Sequence, residues 1–291
     1  ALTALTSGTD NVAVGSAVLD ANTTGGANTA IGMQALSSNT TADGNTAVGV
    51  NSLFANTTGT RNAALGNLSL DANTTGNDNV GIGYQAATGV TEGSQNTALG
   101  SAALNATTTA DNNTAVGYLS LGANTTGASN TAVGSLALDA NTTASNNTAV
   151  GTQALSANTT GASNTALGRG ALQLNTTGQK NTGIGEFGLY NNTTGNYNTA
   201  VGVEAGSEIT TGSNNVAIGY QALDDTTTGA NNTAVGYTSL SANTTGNNNS
   251  SFGSQSLVNN TTGSSNTAVG ILALELNTTA DNNTAVGRSA L

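Results

Sequence analysis

An asparagine recurs every seventeen residues from Asn11 to Asn283, and no insertion or deletion interrupts the spacing. Few folds tolerate so strict a period. In a solenoid each residue stacks on its equivalent in the next repeat. One added residue would turn every side chain beyond it to the opposite face of a strand. Numbering columns from that asparagine, the repeat reads N-T-A-V-G-x-x-A-L-x-A-N-T-T-G-x-x, and the chain runs from column 8 (Ala1) to column 9 (Leu291).

What each column tolerates can be read within this one chain. Asn is invariant in column 1 (Asn11, Asn28, Asn45 and onward), Gly in column 5 (Gly15, Gly32, Gly49 and onward) and Thr in column 13 (Thr23, Thr40, Thr57 and onward). Column 4 is aliphatic except at Phe252. Column 9 is Leu except at Ala87 and Gly206, and column 3 is Ala except at Gly81, Gly183 and Ser251. Columns 6, 7, 10, 16 and 17 drift and hold most of the charge, as solvated positions do.

Asn, Thr and Gly are poor helix formers, whereas Thr-Ala-Val suits a short strand. Asn-Thr-Thr-Gly has turn chemistry. The fold expected is therefore all-β: a parallel β-solenoid, or β-roll, of seventeen 17-residue rungs in a single array over residues 1–291. Each rung should carry two or three short strands, with turns near the column 5 glycine and across columns 12 to 15. Rungs about 4.8 Å apart would make a rod of roughly 80 Å. The invariant Asn and Thr columns should form hydrogen-bonded ladders, amide to amide and hydroxyl to hydroxyl. Columns 4 and 9 should supply the apolar interior, about 1.5–3 kcal/mol per fully buried side chain.

Columns 3 and 4 are both restricted although strand neighbours point to opposite faces. One face should then line the roll and the other, the small-residue column, a subunit contact. A narrow roll whose bend admits both neighbours is the alternative. Rungs at both ends match interior ones (Asn283-Thr284-Ala285-Val286-Gly287), although solenoids normally carry atypical caps. The expectation is a segment of a longer fibre, or copies stacked end to end.

Composition narrows the function. The chain has 15 acidic and 4 basic residues, a net charge of −11, and no Cys, His, Pro or Trp. Such a surface repels nucleic-acid phosphates and anionic membranes, and no apolar run is long enough to span a bilayer. Without His or Cys the commonest catalytic bases and nucleophiles are missing. The expectation is no enzyme, no cofactor and no metal. Asp224-Asp225, the adjacent carboxylate pair, reads as a solvated turn. The column 10 acids (Asp20, Asp71, Asp139, Asp224, Glu275) do not fall in successive rungs, as a calcium-binding roll would require.

Twelve rungs carry Asn in column 12 and Thr in column 14, an N-x-T sequon that serves glycosylation or turn geometry. Regular threonines also suit an ice-binding face, though T-x-T within one strand is absent. Tyr84, Tyr118, Tyr220 and Tyr237, all in column 6, are candidate surface contacts for glycans or ordinary strand residues.

The strand motif, seen in Asn215-Val216-Ala217-Ile218-Gly219 and Asn11-Val12-Ala13-Val14-Gly15, resembles the head repeats of trimeric autotransporter adhesins of the YadA type. The A-L-x-A-N-T-T-G form is similar to repeats of long bacterial surface proteins and phage tail-fibre-like proteins. The resemblance covers every rung, although this rung is a few residues longer than the family's. It implies a left-handed roll, a homotrimer, an extracellular or cell-surface location, and a role as fibre or adhesin shaft contacting a host surface or glycan.

Overall fold

The computed structural model describes residues 1–291. The chain divides into two compact units, Ala1–Asn146 and Asn147–Leu291. Each is a parallel β-solenoid, and no helix is long and apolar enough to cross a membrane. The first unit holds eight strands, β1 (Val12–Val14) to β8 (Thr131–Val133), and the second nine, β9 (Thr148–Val150) to β17 (Thr284–Val286). In the first unit every strand pairs in parallel with its successor at an offset of one repeat, Val12 with Thr29 and Val14 with Ile31. The second unit repeats this pairing from Thr148 opposite Thr165 onward. The period thus sets the register, as expected.

Each rung contains one strand, in columns 2 to 4, rather than two or three. The reason lies in the backbone. Columns 7, 9 and 17 take left-handed conformations with ordinary residues, as at Gln34 (φ 58), Leu36 (φ 50) and Ala27 (φ 56). These break any second extended run into turns. They still hydrogen-bond between rungs: Gln34 N–H donates to Ser16 O in the rung before, and Leu36 N–H to Ser52 O in the rung after. A left-handed non-glycine residue costs about 1–2 kcal/mol. At column 9 this is offset by complete burial of leucine, worth about 1.5–3 kcal/mol. The left-handed residues also end the two-residue alternation, so columns 8 and 9 both point inward (Ala35 and Leu36, Ala154 and Leu155). For these two columns the bend that admits both neighbours is what the fold uses.

Column 4 does not line the interior. It is exposed or half-exposed in every rung, and column 3 is buried instead, Ala30, Ala47 and Ala98 completely. The expected assignment of faces is therefore reversed. The interior is too narrow for a larger residue at column 3: a Cβ on Gly81 would lie 3.0 Å from Leu70 Cγ, and one on Gly183 3.3 Å from Leu172 Cγ. The close stacking also explains column 5. Its glycines hold φ of 125 to 141, and a Cβ on Gly49 would stand 2.4 Å from Gly66 O.

Candidate functional site

The invariant columns are internal scaffolding. Asn28 N–H donates to Asn11 Oδ1 (3.0 Å) and Asn45 N–H to Asn28 Oδ1 (2.9 Å). Most of the Nδ2 groups donate to a column 15 carbonyl, as Asn28 does to Ala42 O and Asn45 to Gly59 O. The column 1 ladder therefore runs mainly from side chain to backbone, not amide to amide as expected. The amide-to-amide ladder is in column 12, where Asn39 Nδ2 donates to Asn22 Oδ1 (3.1 Å) and Asn56 Nδ2 to Asn39 Oδ1 (3.0 Å). Those asparagines belong to the N-x-T sequons, and all but Asn277 are fully buried. In the folded chain they serve the ladder and are closed to a glycan. Column 13 hydroxyls donate to the carbonyl of the same column one rung on, Thr23 to Thr40, Thr40 to Thr57 and Thr57 to Thr74. Their protons are thus committed to the scaffold. Gly15, Gly32 and Gly49 allow the close rung approach.

Outward, two features stand apart. The first is the strand face of columns 2 and 4, an uncharged surface of threonine beside a large apolar side chain. Val14 is 57% exposed, Leu65 50% and Leu167 47%. Column 6 flanks it, and all four of its tyrosines are exposed. Tyr220 and Tyr237 stack with centroids 5.5 Å apart, whereas Tyr84 and Tyr118 are separated by the rung of Ser101.

The second is a cleft of about 660 Å³ in the second unit, lined by Phe187, Tyr190, Glu204, Ser207, Glu208, Asp224, Asp225 and Thr227. Turn columns 7, 10 and 11 of three successive rungs supply most of these groups. Phe187 and Tyr190 meet edge to face at 5.2 Å. The Arg169 guanidinium lies 4.6 Å from the Phe187 ring and is paired with Glu186. Glu204 accepts from Gln221 Nε2 at 2.8 Å, and Asp224 accepts from the Ser207 hydroxyl. Burial pushes the Asp224 carboxyl above the usual aspartate range. The Ser207 bond pulls it back, and the charges of Asp225, Glu204 and Glu208 push it further up. Asp224 is half-buried, so the pair with Asp225 is not the freely solvated turn expected. Glu204, Glu208, Phe187 and Tyr190 were not singled out by sequence. One signal was present: five of the chain's 15 acids fall between Glu186 and Asp225.

Fold and surface together define an all-β repeat protein of the parallel β-solenoid class. Compared with protein-family models, curated proteins and solved structures, the chain matches none.

Proposed function

We propose that this chain is a structural fibre segment displayed outside the cell, which self-associates through the outward face of columns 2 and 4 as a homotrimer. Column 4 carries the reading. An exposed column under no constraint drifts, as columns 6, 7 and 10 do, but column 4 is large and apolar in every rung and buried in none. Stacked rungs turn it into an apolar stripe along each unit, and a contiguous apolar patch of this kind marks a protein contact. The resemblance to adhesin heads supplies the trimer, the left hand and the surface location. Four Lys and Arg residues leave few tryptic sites, which suits a shaft exposed to proteases. The test is the solution mass of the 28.1 kDa chain by light scattering. A threefold mass is expected. Replacing Val48, Leu65 and Ile82 with Lys should return it to one chain with unchanged circular dichroism. A monomeric parent chain overturns the reading.

A second reading, ice binding, is favoured by the same face. Threonine in column 2 points outward beside the column 4 aliphatic on a parallel sheet with regular rung spacing. A trimer would cover this face, so the readings compete. Thermal hysteresis in a monomeric preparation would favour ice; its absence together with a trimer would favour the fibre.

A further inference from the structure

We propose that the cleft bounded by the Phe187–Tyr190 ring pair and by Glu204, Glu208, Asp224 and Asp225 binds an organic cation: an ammonium group on an apolar stem. Its volume, about 660 Å³, is that of a small-molecule site. Two rings form an apolar wall and four carboxylates the polar part, with no Lys or Arg among the lining residues. Neither of the chain's ion pairs, Arg61–Asp78 and Arg169–Glu186, involves a cleft carboxylate. No ion pair therefore compensates the negative charge of the cleft, which adds to burial in raising the Asp224 carboxyl.

The spacing of the acids selects the kind of cation. No three carboxylates converge closely enough to hold a metal ion. A bare divalent ion would therefore lack its oxygen shell. An alkylammonium needs only one or two charge-assisted hydrogen bonds, and its stem packs on the rings. The aromatic wall already tolerates a cation, since the Arg169 guanidinium lies over Phe187. The chain also contains its own control. Seven repeats earlier the positions of Glu204, Glu208, Asp224 and Asp225 are held by Gln85, Gly89, Asn105 and Ala106, none of them acidic.

The experiment is isothermal titration of the full chain at low salt with 1,5-diaminopentane and, separately, with N-acetyl-lysine methylamide. Saturable binding at one site per chain is expected, with none for pentan-1-ol. Glu208 and Asp225 are exposed, so the E208Q/D225N variant should fold normally. It should bind at least about tenfold more weakly, the loss of one charge-assisted hydrogen bond. Tighter binding of the lysine amide would assign the site to protein lysines; tighter binding of the diamine would assign it to free polyamines. The proposal is overturned if neither probe saturates, if E208Q/D225N binds as the parent does, or if equimolar calcium displaces the probe. None of these outcomes depends on the oligomeric state, so the fibre reading stands or falls separately.

Discussion

Residues 79–95 and 198–214 depart from the repeat in the same way, yet the two rungs leave different chemistry behind. In both, the column 9 leucine shrinks, to Ala87 and Gly206, and the column 12 asparagine becomes aliphatic, Val90 and Ile209. The two changes belong together. A Cβ on Gly206 would meet Ile209 Cδ1 at 2.9 Å, so the column 12 side chain fills the space the leucine gives up. In both, the following rung places threonine in column 12. Thr107 Oγ1 accepts from Asn124 Nδ2 (3.2 Å) and Thr226 Oγ1 from Asn243 Nδ2 (3.4 Å), which restarts the ladder. Below the break they differ. Asn73 Oδ1, facing Val90, is buried without a partner. Asn192 Oδ1, facing Ile209, receives a long bond from Asn198 Nδ2 at 3.5 Å. The second rung also bears Glu204 and Glu208, where the first has Gln85 and Gly89, and only the second adjoins the acidic cleft. An apolar plug in a polar ladder is thus tolerated when its volume is refilled locally and the ladder restarts one rung on, even with Asn73 Oδ1 left unpaired, and the turn columns beside it are free to acquire other uses.

The sharpest test contrasts a ladder rung with a plug. Asn56 donates to Asn39 Oδ1 and Gly59 O and accepts from Asn73 Nδ2. Asn56→Ala leaves Asn39 Oδ1 buried without a donor, and it removes one of two bonds from Gly59 O, which keeps Asn45 Nδ2, and from Asn73 Nδ2, which keeps Gly76 O. The stranded acceptor costs about 1–3 kcal/mol and each of the two other lost bonds about 0.5–1.5 kcal/mol, so a loss of about 2–5 kcal/mol is expected in urea unfolding followed by circular dichroism. Val90→Ala removes only apolar contact and should cost about 1–3 kcal/mol. Equal losses would show that the ladder is incidental.

Next in size is a double-mutant cycle on the plug itself. Gly206→Leu alone overpacks against Ile209, and Ile209→Asn alone leaves a void beside Gly206. Each should destabilise by about 1–3 kcal/mol. Together they restore the consensus, and a favourable coupling of about 1–3 kcal/mol is expected. Strict additivity would refute the volume exchange. The matching pair Ala87→Leu and Val90→Asn should leave the protein about 1 kcal/mol more stable than the parent, because Asn73 Oδ1 gains a donor. The same exchange at Gly206 and Ile209 should gain less, since Asn198 already serves Asn192.

Much of this was legible in the sequence. An unbroken 17-residue spacing requires parallel, in-register rungs, and the residue types require strands and turns. Which strand face is interior was not legible. Alternation says that Ala30 and Ile31 point apart, and size suggests the isoleucine for the core. The interior, however, is crowded by column 9 leucines and by two ladders of asparagine amides, and it admits only alanine or smaller beside them, with serine at Ser251. The cleft was hidden for another reason. Its residues lie in columns that read as drifting solvent positions, and only stacking brings Tyr190, Ser207 and Asp224, each one repeat apart in column 10, to one wall. The sequons show the converse: a motif plain in sequence is built from buried amides.

The smallest expected effect concerns two column 10 aspartates near and away from the first plug. Asp71 and Asp139 are half-buried, each with an Oδ1 lacking a partner. Burial pushes both carboxyls above the ordinary value of 3.8, and the Thr88 hydroxyl, from the plugged rung, pulls Asp71 partly back. Their folded state therefore binds protons more tightly than the unfolded chain. Stability should rise as pH falls from 7 toward the ordinary aspartate range and be lowest where both are charged. Asp78 has the opposite sign, because its bond to Arg61 lowers its carboxyl. Its contribution is lost only below the ordinary range, so it leaves this window untouched. Urea midpoints at pH 7 and pH 4.5 should therefore differ in favour of the lower pH. Asp139→Asn should raise the pH 7 midpoint and shrink that difference. Asp71→Asn should do the same to a smaller extent, because Thr88 already offsets part of the burial. If Asp71→Asn has the larger effect, the plugged rung gives its neighbour no compensation, and the local repair inferred for residues 79–95 stops at the ladder.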